Sequence, residues 1–347
     1  MTRKLLLLFG ALTVSACSSF GYYMDLMAGH SELLEQRKPV SEIIADKETS
    51  SILRNLLTKS QKIRNFASKK LYLPENDSYR MYADLKRRYA VWNVVAAAEF
   101  SVQPKKWCFM FVGCLSYRGY FSKEDAINYA NELKAEGYDV YVAGAKAYST
   151  LGWFDDPLLN TMMYKSEARR AGIIFHELAH QVVYIENDSA FNEAFATTVE
   201  QEGIRRWMIA KDEGEKYQEY LVDKKRDSEI NQLLQETREK LKKLYKTKVS
   251  KEEKRQQKKA VFSLMQKQYG ALKKSWGGYS AYDAWMKQEL NNSHLLLIAT
   301  YHDLVPTFKS MLENENNNLK RFYASVKKYG ELDKKDRNVQ LKQLAKK

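Results

Sequence analysis

Residues 172–196 read Gly172-Ile-Ile-Phe-His-Glu-Leu-Ala-His-Gln-Val-Val-Tyr-Ile-Glu-Asn-Asp-Ser-Ala-Phe-Asn-Glu-Ala-Phe-Ala196. His176 and His180 are four positions apart, so a helix presents both imidazoles on one face as a clamp for Zn²⁺. Glu177 sits at the edge of that face, where a general base for an activated water would stand. The chain has only five histidines and two of them fall here in an apolar helix, which makes coincidence a weak account. A catalytic zinc needs a third protein ligand and one open position. Glu193 is an isolated acid among Phe191, Ala194, Phe195 and Ala196, and a carboxylate in an apolar stretch needs a partner. If the first helix runs to Glu186 and the chain turns at Asn187-Asp188, a second helix returns Glu193 to about the level of His180. Glu200, seven residues on along the same stripe, is the rival ligand. Its neighbours Gln201 and Glu202 mark a wetter position and favour Glu193.

Outward from this pair of helices, expected over 165–186 and 189–208, the pattern is mixed. Residues 20–70 repeat apolar positions at helical spacing (Leu33, Leu34, Ile43, Ile44, Leu53, Leu56, Leu57) and read as two or three helices. Residues 89–102 read as a strand or two. Ser122 caps a helix running to Glu136 and ended by Gly137, and Tyr138 to Ala147 reads as a strand. Downstream, 210–259 turns to Lys, Glu, Gln and Asp, with Ile230, Leu234, Leu241 and Leu244 as a thin apolar seam of a charged helix or helical hairpin. Apolar helices are expected at Val261–Leu272 and Leu295–Leu312, with Asn291-Asn292-Ser293 as a capping cluster. A polar tail, read as frayed, follows from Leu332. The fold class is α+β and predominantly helical, with a small, mostly antiparallel sheet and a helical C-terminal half. The expected organisation is a signal peptide over 1–16, an anchored region and catalytic core over 17–209, a charged helical insertion over 210–259, completing helices over 260–331 and the tail over 332–347.

Composition limits the alternatives. With 44% hydrophobic and 12% aromatic residues, wholesale disorder is excluded. Five prolines and fifteen glycines in 347 residues are too few turn markers for an all-β sandwich. The excess of 57 Lys and Arg over 43 Asp and Glu gives +14, but no nucleic-acid-binding motif gathers it, and no nucleic-acid partner is expected. Arg3-Lys4 precedes twelve largely apolar residues, which as a helix span ~18 Å against ~30 Å of hydrocarbon, so the segment reads as a secretory signal. Val14-Ser-Ala-Cys17 resembles a bacterial lipobox, making Cys17 a candidate lipidation site; an ordinary cleaved signal is the alternative. Ser18 then points to the outer membrane, facing the periplasm, in a cell with two membranes. In that oxidising compartment Cys108 and Cys114, six positions apart in a β-rich run with Gly113 available for a turn, are placed to close a hairpin; two buried free thiols are the alternative.

His176-Glu-Leu-Ala-His180 followed by Asn192-Glu-Ala-Phe-Ala196 resembles the gluzincin metallopeptidases, which include thermolysin and the large zinc aminopeptidases. The thirteen positions from His180 to Glu193 are fewer than in those enzymes. The chain more closely resembles a family of bacterial lipoproteins described as putative zinc aminopeptidases, on Gly113-Cys-Leu-Ser-Tyr-Arg-Gly-Tyr120, Tyr148-Ser-Thr-Leu-Gly-Trp153, Asp156-Pro157, both zinc motifs and Asn291-Asn292. The resemblance implies a zincin-like core, zinc as cofactor, aminopeptidase activity on a peptide or protein substrate in the bacterial envelope, and attachment to the membrane through lipidated Cys17. Tyr148 to Gly152 resembles the edge strand on which zincins bind extended peptide, so Tyr148 and Gly152 are candidate substrate contacts. Tyr301 and Tyr148 are candidate donors to an oxyanion. An endopeptidase acting on misfolded envelope proteins, and a lipid-anchored scaffold with a closed structural zinc, stay open as other readings.

Overall fold

The computed structural model describes residues 21–109, 113–150, 154–163, 166–296 and 304–344. Cys17, Gly152, Tyr301 and His302 lie outside them. Helix α1 covers 21–35, followed by β1 (Lys38–Pro39), α2 (Val40–Ala45) and α3 (Ser51–Leu71). Three helices therefore occupy the stretch read as two or three. Ser50 starts α3 by accepting from the Leu53 amide, and Tyr72 ends it in a left-handed conformation, φ 58°. On α3 the fully buried Arg64 donates to the carbonyls of Pro74, Asn76 and Ser78, which fixes the turn between α3 and β2 (Met81–Ala83).

The largest sheet is β6-β3-β7, all antiparallel: β3 is Val91–Ala98, β6 Arg118–Tyr120 and β7 Tyr138–Ala145. Between β3 and β6 lies the hairpin of β4 (Trp107–Phe109) and β5 (Gly113–Leu115). Cys108 and Cys114 stand directly opposite each other there and are joined by the expected bridge, S–S 1.98 Å. Helix α4 (Lys123–Ala135), capped by Ser122 and followed by Gly137 at φ 87°, lies where its signals placed it. It packs Ala126, Ala130 and Leu133 on Val94, Ala96 and Val140. A second small sheet sets β2 antiparallel to β1 and parallel to β8 (Leu158–Leu159), so antiparallel pairing is the rule with one exception.

Helix α5 (Asn160–Met163) leads into α6 (Glu167–His180) and α7 (Ser189–Ala210). The helix expected to reach Glu186 stops at His180. Val182, Val183 and Ile185 are β-branched, and Asn192 takes both backbone groups of Ile185 into its side-chain amide, each at 2.8 Å. Next come α8 (Gly214–Tyr245) and α9 (Lys251–Ser275), a helical hairpin. The seam of Ile230, Leu234, Leu241 and Leu244 is buried as expected. It meets Phe262, Met265 and Tyr269 from α9, so Val261–Leu272 is the second arm of the hairpin rather than a separate helix. Helix α10 (Asp283–Met286) follows, and Asn291 caps a 3₁₀ turn at Asn292–Leu295. Of the helix expected over 295–312, residues 297–303 lie outside the described ones; α11 covers Val305–Asn314, with Pro306 in its first turn.

Helices α12 (Leu319–Glu331) and α13 (Lys334–Leu344) close the chain. Residues 334–344, expected to fray, dock instead. Arg337 on α13 is buried and donates from Nε and Nη2 to one oxygen, Oδ2, of Asp188, at 3.0 and 2.8 Å. Among the described residues no helix is long and apolar enough to cross a membrane.

Candidate metal centre

Helices α6 and α7 lie close because two glycines leave room. A Cβ on Gly203 would come within 2.6 Å of the Phe175 ring, and one on Gly172 within 3.2 Å of the Glu200 side chain. Ser166 caps α6, and its apolar face of Ala171, Ile174, Phe175 and Leu178 is fully buried. The opposite face carries His176 and His180. Their Nε2 atoms are 3.2 Å apart, and the Glu193 carboxylate lies 3.2 Å from His176 Nε2 and 3.7 Å from His180 Nε2. One ligand atom from each of the three residues falls within 4.8 Å of the others.

This donor set suits a cation. Burial pushes His180 down to about 4, so it offers a neutral lone pair. Burial opposes charge on His176 too, but its hydrogen bonds to Glu193 and Glu200 outweigh it and hold that imidazole well above its ordinary value. Two imidazole nitrogens at 3.2 Å beside a carboxylate need either a shared proton or a metal between them. The structure also separates the rival acids. Glu200 meets the other nitrogen of His176, Nδ1, at 3.2 Å, and lies 3.8 Å from Lys224 on α8. Glu193 thus belongs to the group that could hold a metal, while Glu200 faces the far nitrogen of His176.

Glu177 shares a cleft of about 620 Å³ with these three residues. Burial raises its pKa, and a hydrogen bond from Ser149 works against that. The Ser149 hydroxyl also reaches Asp156 at 3.1 Å, so Ser149 sits between the two acids. Buried Asp156 accepts from the Thr150 amide at 2.9 Å and from its hydroxyl at 2.9 Å. These bonds draw 149–150 away from any ladder: strand β7 ends at Ala145, and Tyr148 to Thr150 are irregular rather than the edge strand expected there. Tyr148 does line the cleft, with its hydroxyl 3.4 Å from His30 Nδ1.

Tyr117, between β5 and β6, was not singled out from the sequence. Its hydroxyl is pushed up to about 12, by burial first and then by the charges of Glu193, Tyr184 and Glu177, so it keeps its proton. His30 on α1 was likewise missed, and its Nε2 is buried with no partner among the described residues. One tyrosine among 23 carries no signal of its own, and α1 lies far from the motif in sequence. The remaining described histidine, His294, is structural: its Nδ1 accepts from the Asn291 amide at 3.1 Å. A larger cavity of about 1130 Å³ between α7, α8 and α11 holds none of His176, Glu177, His180 or Glu193.

The disulfide hairpin forms part of the cleft wall through Phe109 and Leu115. It docks on the α6–α7 turn. Gly113 has φ 72°, and a Cβ there would fall 2.4 Å from Asn187 Oδ1.

A family model described as "Putative aminopeptidase" matches residues 21–341. No curated protein matches the chain, and no solved structure does.

Proposed function

We propose that this chain, which belongs to the putative aminopeptidase family over residues 21–341, is a zinc-dependent peptide hydrolase with a gluzincin-like centre. The observation that carries the reading is the convergence of His176, His180 and Glu193 beside Glu177 in one cleft. Two imidazoles and one carboxylate are the ligand set of catalytic zinc, with one position left for water or substrate. When bound, zinc supplies a Lewis acid that polarises a carbonyl and lowers the pKa of water toward neutrality.

The residues around it do the rest. Glu177 accepts the proton of the attacking water and returns it to the leaving amine. Its raised pKa suits both steps, since a base that is too weakly basic cannot take the proton and one too strongly basic cannot give it back. Glu200 fixes which nitrogen of His176 faces the centre. Tyr117 keeps its hydroxyl proton and serves as donor to the oxygen on which charge develops. The Lys4–Cys17 segment supports export and lipid anchoring at Cys17, on the periplasmic face of the outer membrane. Cys17→Ser should then abolish acyl labelling of the chain.

The test is Glu177→Gln. The amide keeps the size of the side chain but cannot take the proton, so zinc should stay bound while hydrolysis falls by about 10²-fold or more. Hydrolysis at the wild-type rate would overturn the mechanism.

A further inference from the structure

We infer that the cleft binds an internal, uncharged stretch of peptide through aromatic or large aliphatic side chains, and does not select a free chain terminus. The inference rests on the peptide-hydrolase reading and names its substrate class.

The walls of the cleft set the chemistry. Among the described residues that line it, the only carboxylates are Glu177 and Glu193, and no Lys, Arg or Asp is present. Both acids are already committed, one to the proton and one to the metal. An α-ammonium taken out of water needs an anionic partner, and an α-carboxylate needs a cationic one. The described walls offer neither. In a chain with a net charge of +14, a cleft whose described walls hold no Lys or Arg is a local departure from the composition.

The walls offer rings instead. Tyr23, Phe109, Phe121, Tyr148, Phe154 and Tyr184 line the space. Phe154 and Tyr184 are 50% and 40% exposed, although large aromatics are ordinarily driven under cover. Rings left open beside a catalytic centre are what an apolar side chain of a substrate would cover. A volume of about 620 Å³ takes a few side chains, as pockets of this class do. Tyr117 lines the same cleft as these rings and as Glu177 and Glu193, so a peptide covering the rings lies in the space that also holds both acids.

The experiment uses peptides with acetylated and amidated ends, in three versions differing at one central residue: Phe, Asp or Lys. A fourth peptide repeats the Phe sequence with a free amino end. Affinity for the metal-free full mature chain is read by fluorescence anisotropy, and kcat/KM is read with zinc-loaded protein. The blocked Phe peptide should bind at least as tightly as its free-amine twin and about 10-fold or more tighter than the Asp and Lys versions. Phe154→Ala should weaken the Phe peptide several-fold and leave the melting temperature unchanged, because half of that ring is already in solvent. A free-amine peptide bound or cleaved 10-fold better than its blocked twin would overturn the inference and leave the hydrolase reading standing. Equal affinity for the Phe, Asp and Lys versions would overturn it as well. If the blocked Phe peptide binds selectively and zinc-loaded protein cleaves no peptide at all, the binding inference holds and the hydrolase reading fails.

Discussion

At the scale of single residues, the site turns on the two nitrogens of His176. Glu193 and Glu200 stand seven positions apart on one stripe of α7, and the sequence placed both opposite α6. It favoured Glu193 from its apolar neighbours. What spacing cannot convey is how the imidazole is turned, because that depends on the rotamer. In the folded chain the ring lies between the two acids, with Nε2 toward Glu193 and Nδ1 toward Glu200. Glu193→Gln should therefore strip most of the zinc, whereas Glu200→Gln should weaken binding by about 10- to 100-fold, the usual effect of losing a group that orients a ligand. Titration against a competing chelator separates the two, and the reverse order would exchange their roles. Tyr117→Phe removes only a donor. It should retain zinc while kcat falls on the order of 10²-fold, as loss of one oxyanion donor does. Unchanged kcat would return Tyr117 to the packing of the sheet.

At the scale of elements, the geometry of the centre depends on the turn between α6 and α7. The turn is clamped from inside by Asn192 on Ile185 and from outside by Arg337 on Asp188. Local signals marked the elements whose causes are local, such as α4 between Ser122 and Gly137. They misplaced the end of α6 and read residues 334–344 as frayed, because Arg337 and Asp188 are 149 positions apart and neither marks the other in sequence. Both side chains are about 95% buried, so the pair belongs to the interior. Arg337→Ala leaves buried Asp188 with only the exposed Lys334, 3.5 Å away, as a cationic partner and should cost up to about 3–5 kcal/mol, read as a lower denaturant midpoint. A change within error would mean that α13 contributes nothing to the turn. The 3₁₀ turn at Asn292–Leu295 gives a pH-dependent prediction. Burial pushes His294 down to about 4 from 6.5, so the unfolded chain takes up this proton first as pH falls. Its contribution to stability is present above pH 6.5 and is lost progressively toward pH 4. His294→Gln should flatten that slope in denaturant titrations; an unchanged slope would show that the imidazole already titrates freely in the folded state.

At the scale of the whole molecule, the chain builds more than one core. One unites α3, α6, α7 and the C-terminal helices around the candidate metal centre, and another closes the α8–α9 hairpin on Leu295 and Val102. The seam of that hairpin was legible because a lone apolar stripe in a charged helix has one use. Composition alone ends the charged stretch at Lys259 and makes its partner a separate element, whereas α9 runs from Lys251 across that boundary. The metal motif was legible because its chemistry fixes the residue types and their spacing. Tyr117, His30 and the aromatic walls were not, since they come from distant segments that only the fold gathers. A zinc peptide hydrolase of this design requires one metal ion at His176, His180 and Glu193, and activity that depends on it. The purified mature chain should be analysed for zinc by mass spectrometry while hydrolysis of a peptide library is followed through chelation and refilling. One zinc per chain, loss of cleavage on chelation and its return with one equivalent of zinc are expected. Full cleavage by the metal-free chain, or zinc held in a closed site with no peptide cleaved, would contradict it.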